Sequence, residues 1–166
     1  MDLIVDPAGF AMWDGRRMRC ALGRGGVTGA KREGDRATPA GRWPLRRVLY
    51  RADRIAAPAT ALPVAPIAPS DGWCDDPVHP DYNRAVALPH PARCEHLWRS
   101  DRVYDLIVVL GYNDAPARPG LGSAIFLHVA RRGFAPTEGC VALARADLLA
   151  VLAGAQPGDA VAVAPG

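Results

Sequence analysis

Two side chains in the C-terminal third of the chain could act together on a carbonyl group. His128 ends the apolar run Ser123-Ala124-Ile125-Phe126-Leu127-His128, and Cys140 follows within Pro136-Thr137-Glu138-Gly139-Cys140-Val141-Ala142-Leu143. A cysteine attacks carbonyls as its thiolate, which requires a base or a positive field beside it. His128 is a fitting base: it would take the thiol proton and later hand it to a departing amine. Gly139 lets the chain turn sharply before the sulfur and leaves a peptide N–H for an oxyanion. Cys140 also falls about four residues ahead of a helical segment, where backbone N–H groups favour negative charge. A plainer alternative is a small buried cysteine and a satisfied strand-end histidine. The residues by themselves leave both open.

Several elements must bring these groups together. Leu3-Ile4-Val5 and Phe10–Trp13 read as short strands, Asp14-Gly15 as a hairpin turn and Met18–Leu22 as the returning strand. Trp43–Tyr50, Tyr104–Gly111, Ser123–Val129 and Ala160–Val163 read as further strands. Ala144–Ala153 is the one convincing helix, with Leu148, Leu149 and Leu152 as its apolar face and Gly154 ending it. Between residues 56 and 69 stand Pro58, Pro63, Pro66 and Pro69, too many for a helix or a central strand. Residues 71–98 are polar, aromatic and rich in turn formers, without a period. Residues 55–100 therefore read as a loop-rich insertion of the kind that carries function. The expected fold class is mainly β: a β-sandwich or small barrel with one packed C-terminal helix and a long central loop insertion, as a single domain over residues 1–166.

Composition narrows the function classes. The chain has 166 residues, 49% hydrophobic and 22% charged, which argues against disorder. No apolar run approaches the ~20 residues of a membrane-spanning helix. The net charge is +3, but the arginines are dispersed among acidic residues and Lys31 is the only lysine. That pattern does not make a nucleic-acid face. Met1–Asp6 lacks the features of a secretory signal. The glycine-rich stretch 23–29 fits neither the dinucleotide nor the P-loop pattern, so a turn or substrate-ordering loop is expected there. Cys74, His79, His90, Cys94 and His96 are legitimate metal ligands, yet their spacing fits no template. Oxidation of Cys74 to Cys94 is an equal alternative in an exported protein. No metal site is expected.

His128, Thr137-Glu138-Gly139-Cys140 and Val141, together with the glycine-rich loop and Thr38-Pro39-Ala40-Gly41, resemble the L,D-transpeptidase catalytic domain (YkuD-like) family of bacterial cell-wall enzymes, in a divergent proteobacterial branch. Departures are Glu138, where the family often has histidine or a small polar residue, Ala142, where arginine or asparagine is common, and a short His-to-Cys spacer. The resemblance implies acyl transfer on peptidoglycan stem peptides through a thioester on Cys140. The products would be 3,3 (diaminopimelate–diaminopimelate) or 1,3 (L-Ala–diaminopimelate) cross-links. An L,D-carboxypeptidase or amidase using water, or a non-catalytic peptidoglycan-binding module, are the alternatives. It further implies oxyanion donors from the Cys140 and Gly139 N–H groups, Thr137 bonded near the thiol, and a backbone carbonyl orienting His128. No metal or cofactor is needed. Arg131, nearest His128 in sequence, and Lys31 and Arg32 are candidates for substrate carboxylates. Tyr82, Asn83 and Tyr112 are candidates for the pocket wall, with core packing as the alternative for the aromatics. A monomer in the periplasm, with no nucleic-acid partner, is expected.

Overall fold

The computed structural model describes all of residues 1–166. In chain order the strands are β1 (Asp2–Asp6), β2 (Phe10–Trp13), β3 (Arg16–Ala21), β4 (Val27–Thr28), β5 (Thr38–Pro39), β6 (Gly41–Tyr50), β7 (Val64–Pro66), β8 (Asp71–Cys74), β9 (Ala85–Ala87), β10 (Cys94–His96), β11 (Leu106–Leu110), β12 (Phe126–Val129), β13 (Val141–Leu143) and β14 (Ala160–Val163). The helix α1 spans Arg145–Gly154, between β13 and β14. The β2–β3 hairpin follows its sequence signal. Asp14 and Gly15 take positive φ values of 46° and 73°, and Trp13 pairs with Arg16. Such a two-residue loop matches the natural twist of the strands it joins.

The principal sheet runs β11-β12-β13-β3-β2-β1-β14-β6 and closes on itself, because β6 also pairs with β11. The ten-residue β6 makes this possible by serving two partners: Gly41–Pro44 pair with β14 and Leu45–Tyr50 with β11. The fold is thus a closed, mainly β barrel with one packed helix. β7 adds in parallel to the end of β6, and its Pro66 sits on an edge strand, where a missing N–H is tolerated. Inside the barrel, Leu3, Val5, Val48, Leu106, Val108, Leu127, Leu143 and Val161 pack with Leu148, Val151 and Leu152 of α1. The helix therefore buries the i, i+3, i+4 face Leu148/Val151/Leu152. Leu149, expected on that face, lies outside it at 36% exposure.

A second core lies on the outer side of β11 and β12. Leu106, Val108 and Leu110 point into the barrel, while Ile107 and Val109 join Phe126 in a separate cluster. Ile67, Trp73, Leu97, Val103 and Tyr104 cover it. This double burial explains the unbroken apolar run of β11, since a strand covered on both faces has no polar side to alternate with. The covering segment contains a small antiparallel sheet, β10-β8-β9, within the stretch expected to be loops. Strands of three or four residues give too little pattern to read as period two. The strand expected from Ser123 begins only at Phe126, because Ala124 adopts a φ of 52° and breaks the extended run. No helix is long and apolar enough to cross a membrane.

Candidate active site

β12 and β13 run parallel, with Leu127 opposite Val141 and His128 opposite Ala142. Alternate residues of a strand share a face, so His128 lies on the same side of β12 as Phe126, towards the outer cluster. Cys140 stands immediately before β13 and belongs to that same cluster. The Phe126 N–H donates to Cys140 Sγ at 3.3 Å, and the thiol donates to the Ala124 carbonyl at 3.2 Å. One step along, His128 Nδ1 bonds the Val129 carbonyl at 3.0 Å. A carbonyl only accepts, so the ring proton is on Nδ1 and Nε2 keeps a lone pair. No buried side-chain nitrogen or oxygen lacks a partner; Nε2, which bonds no protein group, is therefore reached by solvent. His128 and Cys140 line one cavity of about 330 Å³.

Burial sets the resting protonation. It pushes the Cys140 thiol up to about 12, with the Glu95 charge adding and the Phe126 N–H and Lys31 opposing. It pushes His128 down to about 4, opposed by the Val129 carbonyl and assisted by Arg131 and Arg99. At neutral pH the pair is accordingly thiol and neutral imidazole. The expected helix-terminus field does not reach the sulfur directly: β13 intervenes, and α1 starts only at Arg145. Tyr104 closes the pocket beside His128, its ring edge-on to the imidazole at 5.4 Å between centroids. Its hydroxyl donates to Glu95, and burial raises the Glu95 carboxyl above its ordinary range. Tyr104, Glu95 and Arg99 line the cavity, yet Glu95 and Arg99 come from an aperiodic segment and Tyr104 from the start of an apolar run, with no local signal.

The turn into Cys140 is built by backbone contacts. Gly139 has a φ of 133°, and a Cβ there would stand 2.9 Å from the Ala37 carbonyl oxygen. Its N–H is not free, contrary to expectation: it donates to Thr137 Oγ1 at 3.1 Å, and that hydroxyl donates onward to the Cys140 carbonyl at 2.6 Å. The donor left beside the sulfur is the Cys140 N–H, which no backbone or side-chain acceptor engages. Thr137 is itself held by the glycine-rich loop, accepting from the Arg24 N–H and donating its own N–H to the Leu22 carbonyl. Gly23 in turn donates to Thr38 Oγ1 at 2.8 Å, and a Cβ on it would collide with the Arg36 carbonyl at 2.3 Å. The glycines and the Thr38-Pro39 block thus form the base under the cysteine turn.

Of the expected substrate residues, Arg131 and Lys31 line the cavity. Lys31 is anchored there by Asp35 and by the Arg32 carbonyl at 3.0 Å. Arg32, Tyr82, Asn83 and Tyr112 do not line it. Arg32 projects to solvent. Tyr82 donates to Glu33 and accepts from the Gly122 N–H. Tyr112 packs edge-on to Trp43 at 4.8 Å in the barrel core. Asn83 is fully bonded: Oδ1 accepts from Trp73 Nε1 at 2.9 Å and the Ala124 N–H at 3.0 Å, while Nδ2 donates to the Tyr112 and Asn113 carbonyls. It fixes the strained Ala124 peptide whose carbonyl holds the thiol. A neighbouring depression of about 430 Å³ shares Arg131 and Val103 but contains neither Cys140 nor His128.

A closed β barrel with an outer cavity, lined by an imidazole from β12 and a thiol from the turn just ahead of β13, defines the class: a cysteine–histidine site on a mainly β scaffold. The family follows from comparison. Residues 3–163 match the model of the L,D-transpeptidase catalytic domain (YkuD), and the chain belongs to that family. No curated protein and no solved structure matches the chain.

Proposed function

We propose that the protein is a cysteine-dependent L,D-transpeptidase that joins peptidoglycan stem peptides through a thioester on Cys140. The observation that carries this reading is the opening of the Cys140 thiol and the unbonded His128 Nε2 into one cavity, beside an unengaged Cys140 N–H. In the first half-reaction Sγ attacks the donor amide carbonyl and its proton passes to Nε2. Imidazolium then protonates the leaving amine as the C–N bond breaks, leaving the thioester. In the second half an acceptor amine attacks, His128 takes its proton, and the sulfur leaves and is reprotonated. The Cys140 N–H faces the oxyanion in both halves; one such donor is typically worth about 3–4 kcal/mol.

The lining favours a substrate with both amine and carboxylate groups. Lys31, Arg36, Arg99 and Arg131 share the cavity with Glu33, Asp75, Glu95 and Glu138. Acidic groups there attract an acceptor amine, which favours transfer over use of water. Stem peptides present these groups outside the cytoplasmic membrane, so the periplasm is the working compartment in this reading, with the chain acting as a monomer. The test is incubation with purified muropeptides and mass spectrometry of the products, run beside Cys140→Ala. Cross-linked dimers, 3,3 or 1,3, from the native chain alone support the reading. Trimmed monomers alone would mean hydrolysis, and undiminished cross-linking by the variant would overturn it.

A further inference from the structure

The small sheet covering the site gathers a second set of reactive side chains that the reaction does not use. β8 and β10 pair antiparallel with Cys74 directly opposite Cys94. The chain between them folds back so that His90, four positions before Cys94, lies against both. Cys94 Sγ stands 3.4 Å from His90 Nδ1, and the ligand atoms of Cys74, His90 and Cys94 all lie within 4.8 Å of one another. A tetrahedral zinc ion, with Zn–S near 2.3 Å and Zn–N near 2.0–2.1 Å, holds such atoms about 3.5–3.8 Å apart. Closure by a few tenths of an ångström to about 1 Å would complete three corners.

The imidazole is already set for this role. Its Nδ1 accepts a long bond from the Ala92 N–H at 3.2 Å, and its Nε2 faces Asp81 Oδ2 at 3.2 Å. The proton is thus on Nε2 and the lone pair on Nδ1, towards the sulfurs. A carboxylate behind the far nitrogen is the usual partner of a metal-bound histidine, fixing its tautomer and orientation. His79 packs edge-on to His90 at 4.9 Å and shares Asp81 with it. His96 stays outside the cluster.

We propose that Cys74, Cys94 and His90 Nδ1 bind one zinc ion, with water in the fourth position and Asp81 supporting His90. Two thiolates and a neutral imidazole neutralise a divalent charge, and sulfur ligands select zinc over magnesium or calcium. Binding releases the two thiol protons to solvent and displaces the long Ala92 N–H bond to Nδ1 and the bond from the Cys94 thiol to the Ala92 carbonyl. The ion would pin β8 and β10 together, and with them Asp75, just past the end of β8, and Glu95 on β10, which line the cavity wall. It takes no part in the acyl transfer. The sequence shows no zinc template because tertiary pairing, not local spacing, brings the ligands together.

The test uses the full chain, purified reduced, stripped with chelator and titrated with Co²⁺ as a spectroscopic stand-in, then with Zn²⁺. We expect one equivalent of Co²⁺ with sulfur-to-metal charge transfer and the intense visible bands of tetrahedral cobalt, both abolished by zinc. Cys94→Ser and His90→Gln should each weaken zinc binding at least tenfold, and Asp81→Asn about tenfold. Circular dichroism of each variant checks its fold, while the cobalt spectrum of the native chain tests the site without any substitution. Absence of thiolate charge transfer, binding indifferent to Cys94→Ser, or a Cys74–Cys94 disulfide in the native protein would overturn the proposal. None of these readouts depends on transpeptidation, so failure here leaves the proposed activity standing.

Discussion

At the scale of single residues, the proposed nucleophile, the proposed base and the groups that tune them have separable effects. Cys140→Ala should lower turnover by a factor on the order of 10⁴ or more, because in the proposed mechanism Cys140 carries the acyl group. His128→Gln should cost roughly 10²–10⁴-fold in kcat, the range for losing a positioned general base. Steady-state kinetics on a muropeptide donor checks both. The pH dependence follows from burial. His128 accepts a proton only when neutral, and its value is pushed down to about 4. The acid limb of kcat/KM should therefore fall well below the ordinary histidine value near 6.5. A limb centred at or above that value would contradict the buried imidazole. Stability shifts in the same window. A folded-state value below the unfolded one gives a contribution present above about 6.5 and lost as pH falls towards 4. Thermal melts of His128→Gln should accordingly fall less steeply across that interval than those of the native chain. Cys140 has the opposite sign: raised to about 12, it contributes stability at lower pH that is lost as the thiol is forced to ionise in alkali. Alkylation of the free protein at Cys140 should accordingly keep rising with pH through the neutral range.

At the scale of elements, the β12–β13 ladder and the turn ahead of β13 decide where the sulfur sits. The strand bearing His128 and the Gly139-Cys140 corner were legible because an apolar run and a glycine are local signals. What lay between them was not. Ala124 looked like strand interior, but its φ of 52° turns its carbonyl to the thiol, and that geometry depends on Asn83, far away in sequence. Asn83 looked like a pocket residue because its type suits substrate binding, whereas its four bonds are all internal. Asn83→Ala leaves the Trp73 and Ala124 N–H groups unpaired and should cost about 2–4 kcal/mol in urea denaturation. Gly139→Ala forces a Cβ to 2.9 Å from the Ala37 carbonyl at a φ of 133°. Strain of about 1–3 kcal/mol is expected, with turnover reduced on the order of 10²-fold through displacement of the sulfur. A Gly139→Ala enzyme with native kinetics would show that the corner tolerates movement.

At the scale of the molecule, a barrel core and an outer core share β11 and β12, and the site lies where the second covers the first. The barrel strands with alternation, β1 to β3, were readable because each has one wet and one dry face, whereas β14, buried at three of its four residues, was readable only as a short apolar run. The helix was readable as a segment, but one member of its buried face differs: Val151 stands beside Leu148 and Leu152 where Leu149 was expected. The covering segment gave no period, since its strands are short and its packing is long-range. It supplies Asp75, Glu95 and Arg99 to the cavity. Replacing residues 67–104 by a short flexible linker would bare Ile107, Val109 and Phe126, now 0–6% exposed. Light scattering should then show association, and the cavity would lose one wall.

The covalent step gives the most direct test of the whole account. The chain is mixed with a tetrapeptide-stem muropeptide, quenched in acid within the turnover time, and followed by intact mass and peptide mapping. The expected result is a stem-peptide acyl adduct on Cys140, absent from Cys140→Ala and accumulating far more slowly in His128→Gln. Turnover without any adduct, or an adduct on Cys20, Cys74 or Cys94 instead, would contradict it.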